Sequence, residues 1–205
     1  MTTVCALLLF DGCDVMDVTG PYEVLLAAGR LTVRDGAEPA FEVRTVSVDG
    51  GPVDAFGGLG LVPSHGALTD NDDIDLLIVP GLIDVPAGLT RTDLVEAVAD
   101  ASQRVELTAS VCTGAFLLDA AGVTSGRPVT THWEDVPDLR ARRDAAGDGA
   151  EVRDGVRWVD DGDVVTAGGI SSGVDAALHL VERLANRDLA VRTARQIDHA
   201  WREDA

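Results

Sequence analysis

Apolar runs of strand length alternate with helix-spaced patterns along most of the chain. Residues 4–10 (Val-Cys-Ala-Leu-Leu-Leu-Phe) form a continuous apolar run, the pattern of a strand covered on both faces. Residues 17–29 read as a helix, with Thr19, Pro21 and Glu23 marking its start and Gly29 its end. Residues 41–48 alternate as a more exposed strand, and the Gly/Pro-rich stretch 50–63 reads as turns around a short strand or hairpin. A second buried strand, 74–79, stops at Pro80-Gly81. A helix follows over 89–104, with Leu94, Val95, Val98 and Ala101 on one face.

The next strand starts at Glu106 and passes through Cys112 into a helix from Thr113 to about Ala121. Beyond it the pattern predicts a short strand at 129–131, a polar helix at 134–143, a loop at 144–153 and a hairpin from 156–159 to 164–166. A small-residue turn at 168–173 then leads to helices at 174–184 and 187–201. Strands separated by helical patterns imply βαβ units, hence an α/β fold with a mostly parallel sheet between helices.

The length of 205 residues suits one domain, 1–205, burying roughly 70% of its unfolded surface. There is no charged-then-apolar leader and no apolar run near the roughly 20 residues that cross a bilayer, so a cytoplasmic location is expected. The net charge of −19 repels phosphate backbones and anionic lipids, which excludes nucleic acid and membrane as expected partners. The acidic clusters at 70–73 and 160–163 lack the spacing of a calcium loop and read as solvated surface. Cys5, Cys13 and Cys112 are odd in number and contain no CxxC pair, which argues against a disulfide framework and against a structural metal site.

Two residues carry candidate chemistry. Cys112 falls where a strand ends and a helix begins, and the positive end of that helix favours thiolate over thiol. The local pattern leaves two roles open, a nucleophile or a small buried hydrophobe. Asp17 lies beyond the C-terminal end of the first strand, the edge where ligands of open α/β sheets collect, although capping a helix is an equal reading of its position. The glycine turn at 168–173 has neither GxGxxG spacing nor a Lys-Ser/Thr pair and does not read as a nucleotide loop.

Four segments, in order, resemble the DJ-1/PfpI superfamily and within it the isonitrile hydratase-like branch. They are Phe10 with Asp17-Val18-Thr19-Gly20-Pro21 and Glu23-Val24-Leu25; Ser110-Val111-Cys112-Thr113-Gly114-Ala115; Thr130-Thr131-His132-Trp133; and residues 166–175. The resemblance implies a flavodoxin-like three-layer sandwich with the cysteine on a nucleophile elbow, usually assembled as a homodimer, and no cofactor. It also implies a small-molecule substrate, with Cys112 as nucleophile and Asp17 as general acid/base in adding water to an isonitrile. Gly81, Leu82, Thr113, His132 and Gly169 would surround the sulfur as pocket or oxyanion residues. Leu82 stands where family members commonly have a second glycine, a change that would hinder a left-handed backbone and reshape the pocket. His132 reads either as a partner of Cys112 or as a pocket-lining residue. Trp133 and Tyr22 read as pocket walls or core.

Two other functions fit the resemblance: a ligand- or redox-sensing module related to the N-terminal domain of transcription regulators, and a glyoxalase- or chaperone-like member. The latter branches typically carry a glutamate where this chain has Asp17. The composition adds a further expectation, since 35 carboxylates face 16 basic residues, all arginine. Salt screens such self-repulsion, which fits adaptation to high salt. The melting temperature should rise by several degrees from low to molar salt, and indifference to salt would discard the idea.

Overall fold

The computed structural model describes residues 2–203. Its centre is a six-stranded sheet in the order β2-β1-β5-β6-β8-β7. The strands are β1 (Thr3–Leu9), β2 (Phe41–Ser47), β5 (Leu76–Val79), β6 (Leu107–Val111), β7 (Trp158–Asp160) and β8 (Val164–Ala167). All neighbours run parallel except β7, which pairs antiparallel with β8 at one edge. A separate hairpin, β3 (Val53–Asp54) with β4 (Gly60–Leu61), fills the stretch expected to turn.

The continuous apolar runs became the central strands because both sheet faces are covered: every residue of β5, β6 and β8 is buried. One face carries α1 (Val15–Arg34), α6 (Ser172–Leu184) and α7 (Arg187–Gln196). The other carries α2 (Val85–Leu89), α3 (Thr92–Ser102) and α4 (Gly114–Ala120). Phe116 of α4 and Leu139 of α5 (Val136–Ala145) form a satellite core with Val129 and Val152. The result is a three-layer α/β sandwich with a mostly parallel sheet, as the sequence pattern implies.

Several boundaries differ from the sequence reading. Asp14, and not a residue near Thr19, caps α1, accepting the Met16 and Asp17 N–H groups, so Asp17 occupies the first turn and Pro21 lies inside the helix. Gly29 does not end α1. A Cβ there would stand 2.8 Å from the Phe41 carbonyl oxygen, so this glycine is required by the close crossing of helix and strand. Residues 129–131 pair only through a bridge from Val129 to Val152, and α7 stops at Gln196.

After α7 the chain folds back onto Asp175 of α6. This fully buried carboxylate accepts from Arg157 Nε at 2.7 Å, His199 Nε2 at 2.7 Å and the Arg202 N–H at 3.1 Å, while Trp201 Nε1 donates to its carbonyl. Removing one partner of a buried charge pair strands the other in low dielectric. Asp175→Ala should therefore lower unfolding free energy by about 3 kcal/mol in urea titration. A loss below about 1 kcal/mol would show that water replaces the carboxylate at little cost.

Candidate functional site

The C-terminal ends of β1, β5, β6 and β8 converge on one edge of the sheet, and Cys112 follows β6 directly at that edge. Its backbone is left-handed, with φ of 57°. Non-glycine residues pay for that conformation in steric strain, so it persists only where its surroundings fix it. Here they do so from both sides. The Cys112 N–H donates to the Ala167 and Gly168 carbonyls at 3.1 and 2.9 Å, and Thr131 Oγ1 donates to the Cys112 carbonyl at 2.9 Å. Gly114, opening α4, packs so closely on the Val79 and Pro80 carbonyls that no Cβ fits. The thiol is buried, with 8% of the residue exposed.

Asp17 reaches the same point from α1 and is wholly buried. Its Oδ2 accepts the Gly81 N–H at 2.9 Å, and Oδ1 has no hydrogen-bond partner among the described residues. Burial pushes the carboxyl up to about 7, reinforced by the Asp14 carboxylate, against the Gly81 N–H and the Cys112 thiol, which favour the charged form. Gly81 is the meeting place of these groups. A Cβ on it would lie 2.6 Å from Asp17 Oδ2, 2.7 Å from Thr113 Oγ1 and 3.0 Å from Cys112 Cβ.

Thr113 closes the loop after β5. Its hydroxyl donates to the Leu82 carbonyl at 2.7 Å and lies 2.8 Å from the Leu82 N–H as acceptor. The Gly81 and Leu82 N–H groups are thus both engaged, one by Asp17 and one by Thr113. Leu82 needs no left-handed backbone; the positive-φ residues other than glycine are Cys112, Ile170 and Asp198 among the described residues. Its side chain is buried against Gly88 of α2, whose missing Cβ makes room for it.

The thiol departs from the expectation set by its helix end. Burial, with the Asp17 carboxylate adding to it, pushes Cys112 up to about 12, while the N–H groups of Ile170 and Thr113 pull the other way. Desolvation over most of the side chain outweighs the dipole of a seven-residue helix. At neutral pH the resting pair is a thiol beside a carboxyl near its midpoint. Ile170, itself strained at φ 36°, was not singled out by the sequence reading, although its Gly-Gly-Ile-Ser turn was.

His132 packs its ring on Gly169, where no Cβ could fit, and turns Nδ1 toward Asp135 at 3.2 Å. It makes no hydrogen bond to Cys112 among the described residues. Trp133 is 68% exposed and is not core, whereas Tyr22 packs partly buried against the core. His65 and His179 stand apart from the site: His65 bonds Ser64 Oγ, and His179 stacks on Trp158 beside Asp160. His199 lies on Asp175. Cys13, in the loop before α1, is fully buried. No cluster of three metal-ligating side chains occurs among the described residues. A cavity of about 540 Å³ opens between the 130–133 segment and the 168–172 turn.

Comparison with known proteins places the chain in a family. The DJ-1/PfpI family model matches residues 3–183. An isonitrile hydratase of Pseudomonas putida is 32% identical over 94% of this chain and 77% of its own length. The HTH-type transcriptional regulator GbdR of Pseudomonas aeruginosa is 31% identical over 89% of this chain, which spans 47% of that regulator. Among solved structures, a ThiJ/PfpI family protein from Pseudomonas syringae superposes with a TM-score of 0.81 at 26% identity, covering 97% of this chain and 75% of that one. Drosophila melanogaster DJ-1beta shares the fold, with a TM-score of 0.80 at 21% identity over 98% of this chain and all of that one. The chain belongs to the DJ-1/PfpI family.

Proposed function

We propose that this protein is a cysteine-dependent enzyme that adds water to a small isonitrile and releases an N-substituted formamide. The observation that carries the reading is the buried carboxyl of Asp17, which meets the Cys112 side chain across Gly81 and is pushed up to about 7. A group near its midpoint can serve both as acid and as base. The similarity to an isonitrile hydratase at 32% identity supports the substrate class.

The chemistry balances without a cofactor. Asp17 takes the thiol proton as Cys112 sulfur bonds to the terminal isonitrile carbon, and then returns that proton to the same carbon, leaving a thioimidate. The Asp17 carboxylate next draws a proton from water as its oxygen attacks that carbon. Asp17 passes that proton to the nitrogen, and collapse of the adduct forms the formamide carbonyl and expels sulfur, which takes the hydroxyl proton. The N–H groups of Ile170 and Thr113, which favour the ionised sulfur, stabilise it as its charge grows. A homodimer is part of this reading, since exposed Met16, Phe56 and Ile83 lie on segments joined by the Phe56 N–H to the Cys13 carbonyl and the Cys13–Leu82 bridge.

A second reading, a ligand-sensing module, is favoured by the 31% identity to a transcription regulator. Its distinguishing mark would be ligand binding by the Cys112→Ala protein without turnover by the unsubstituted one.

Steady-state assays with alkyl and aryl isonitriles test the leading reading. Cys112→Ala should abolish formamide production, and unchanged activity there would remove the mechanism. The pair must hold one proton to react, so kcat/KM should rise with pH to a plateau, with its midpoint about 7. Asp17→Asn should remove that rise and lower the rate by about 10²–10⁴.

Stability carries the opposite sign. The folded carboxyl binds its proton more tightly than the unfolded one, whose pKa is about 3.9. Its charge therefore destabilises the fold increasingly from about pH 4 to about 7 and fully above that. Asp17→Asn should be more stable than the parent at pH 8, by about 2–4 kcal/mol, and equal to it below pH 4. Gly81→Ala, which pushes Asp17 and Thr113 away from Cys112, should cost activity more than a hundredfold while lowering stability by about 1–3 kcal/mol. Retention of full activity by Gly81→Ala would show that the carboxyl and thiol need not meet there.

A further inference from the structure

The cavity beside the 168–172 turn has a chemistry of its own. Its volume of about 540 Å³ falls within the roughly 300–1,000 Å³ typical of small-molecule sites. It begins where the surroundings of the thiol end. Ile170 lines it two residues beyond Gly168, whose carbonyl accepts the Cys112 N–H, and Thr131 lines it while bonding the Cys112 carbonyl.

Two arginines enter this cavity from one scaffold. Buried Asp175 holds Arg157 through Nε and Nη2 and fixes Arg202 by its backbone N–H, so a single carboxylate positions both. Arg157 is neutralised by that contact, and its Nη2 also reaches Ser171 Oγ at 3.2 Å. The Arg202 side chain, by contrast, meets no carboxylate among the described residues, in a chain where carboxylates outnumber basic groups 35 to 16. Of the remaining lining, His132 and the exposed Trp133 ring, 5.7 Å apart, form the side nearest Gly169, and exposed Asp154 lies on the rim.

We propose that this cavity is a subsite for a carboxylate borne by the substrate, with Arg202 as the group that pairs with it and Arg157 and Ser171 supplying further donors. The inference rests on the hydratase reading for the reacting end of the substrate and adds its other end: an isonitrile attached to a short chain ending in carboxylate, such as an α-isocyano acid. A guanidinium suits this task, because its planar donors match the two oxygens of a carboxylate. The acidic surface adds selectivity against larger polyanions, which meet the net charge of −19 over a longer range than one carboxylate held at Arg202.

Binding and turnover separate this idea from the reading it rests on. Calorimetry on the Cys112→Ala protein would use N-formylglycine, the formamide of isocyanoacetate, against its methyl ester. The acid should bind about tenfold more tightly than the ester. Arg202→Gln should erase that preference by weakening the acid, and Arg202→Lys should keep part of it. Equal binding of acid and ester, or a preference unchanged in Arg202→Gln, overturns the subsite even if neutral isonitriles are hydrated. Selective, Arg202-dependent binding of the acid without turnover of any isonitrile by the parent enzyme upholds the subsite and overturns the hydratase reading. Thermal melts of the Arg202 variants, whose altered side chain is exposed, confirm that each is folded.

Discussion

The left-handed backbone at Cys112 is the constraint on which the rest of the site depends. A residue with a Cβ resists positive φ by roughly 1–2 kcal/mol, yet this conformation is what turns the chain sharply from β6 into α4 at the sheet edge. The structure holds it by filling both hydrogen-bonding roles of the peptide group, with two carbonyls from the end of β8 on one side and a threonine hydroxyl on the other. These same clamps deliver the 168–172 turn and the 130–133 segment to the thiol. The strained residue and the walls of the cavity are therefore one arrangement.

Electrostatics at this point follow from exclusion of water. In solvent a helix end and two N–H groups would favour thiolate, and one hydrogen bond from Gly81 would hold Asp17 ionised. Once buried, each group resists its charge, and the charge of Asp17 further opposes that of Cys112. One negative charge, on Asp17, is tolerated there, while two are not. Gly81 makes this coupling geometric, because the absent Cβ is the space in which the acid, the Cys112 Cβ and the Thr113 hydroxyl approach each other.

The pattern of apolar runs made the layers and the parallel sheet legible, since strands buried on both faces leave an unbroken hydrophobic signature. The place of Cys112 and of Asp17 beyond strand ends was legible as well, while their pairing was carried only by the family resemblance. What the pattern did not carry was tertiary in origin. Asp14 outcompeted Thr19 as cap because its carboxylate accepts the N–H groups of a turn that starts earlier. Gly29 resembles a helix stop but answers to the Phe41 carbonyl. The thiol was expected to be acidic from its helix end alone, and only the packing around it reveals that desolvation dominates. The clamp between Thr113 and Leu82 and the role of Asp175 as an anchor join residues too far apart in sequence for any local signal to show.

That separation has a kinetic meaning. The hydrogen bond from Gly81 to Asp17 bridges 64 residues, and that from Thr113 to Leu82 bridges 31. Such contacts form only after long loops have closed, and parallel strands must already be in register for them to exist. During synthesis and refolding the chain thus carries an ordinary cysteine and an ordinary aspartate, each solvated and unpaired. Their coupling appears together with the completed sheet, so an incomplete or misfolded chain carries the two side chains without the site.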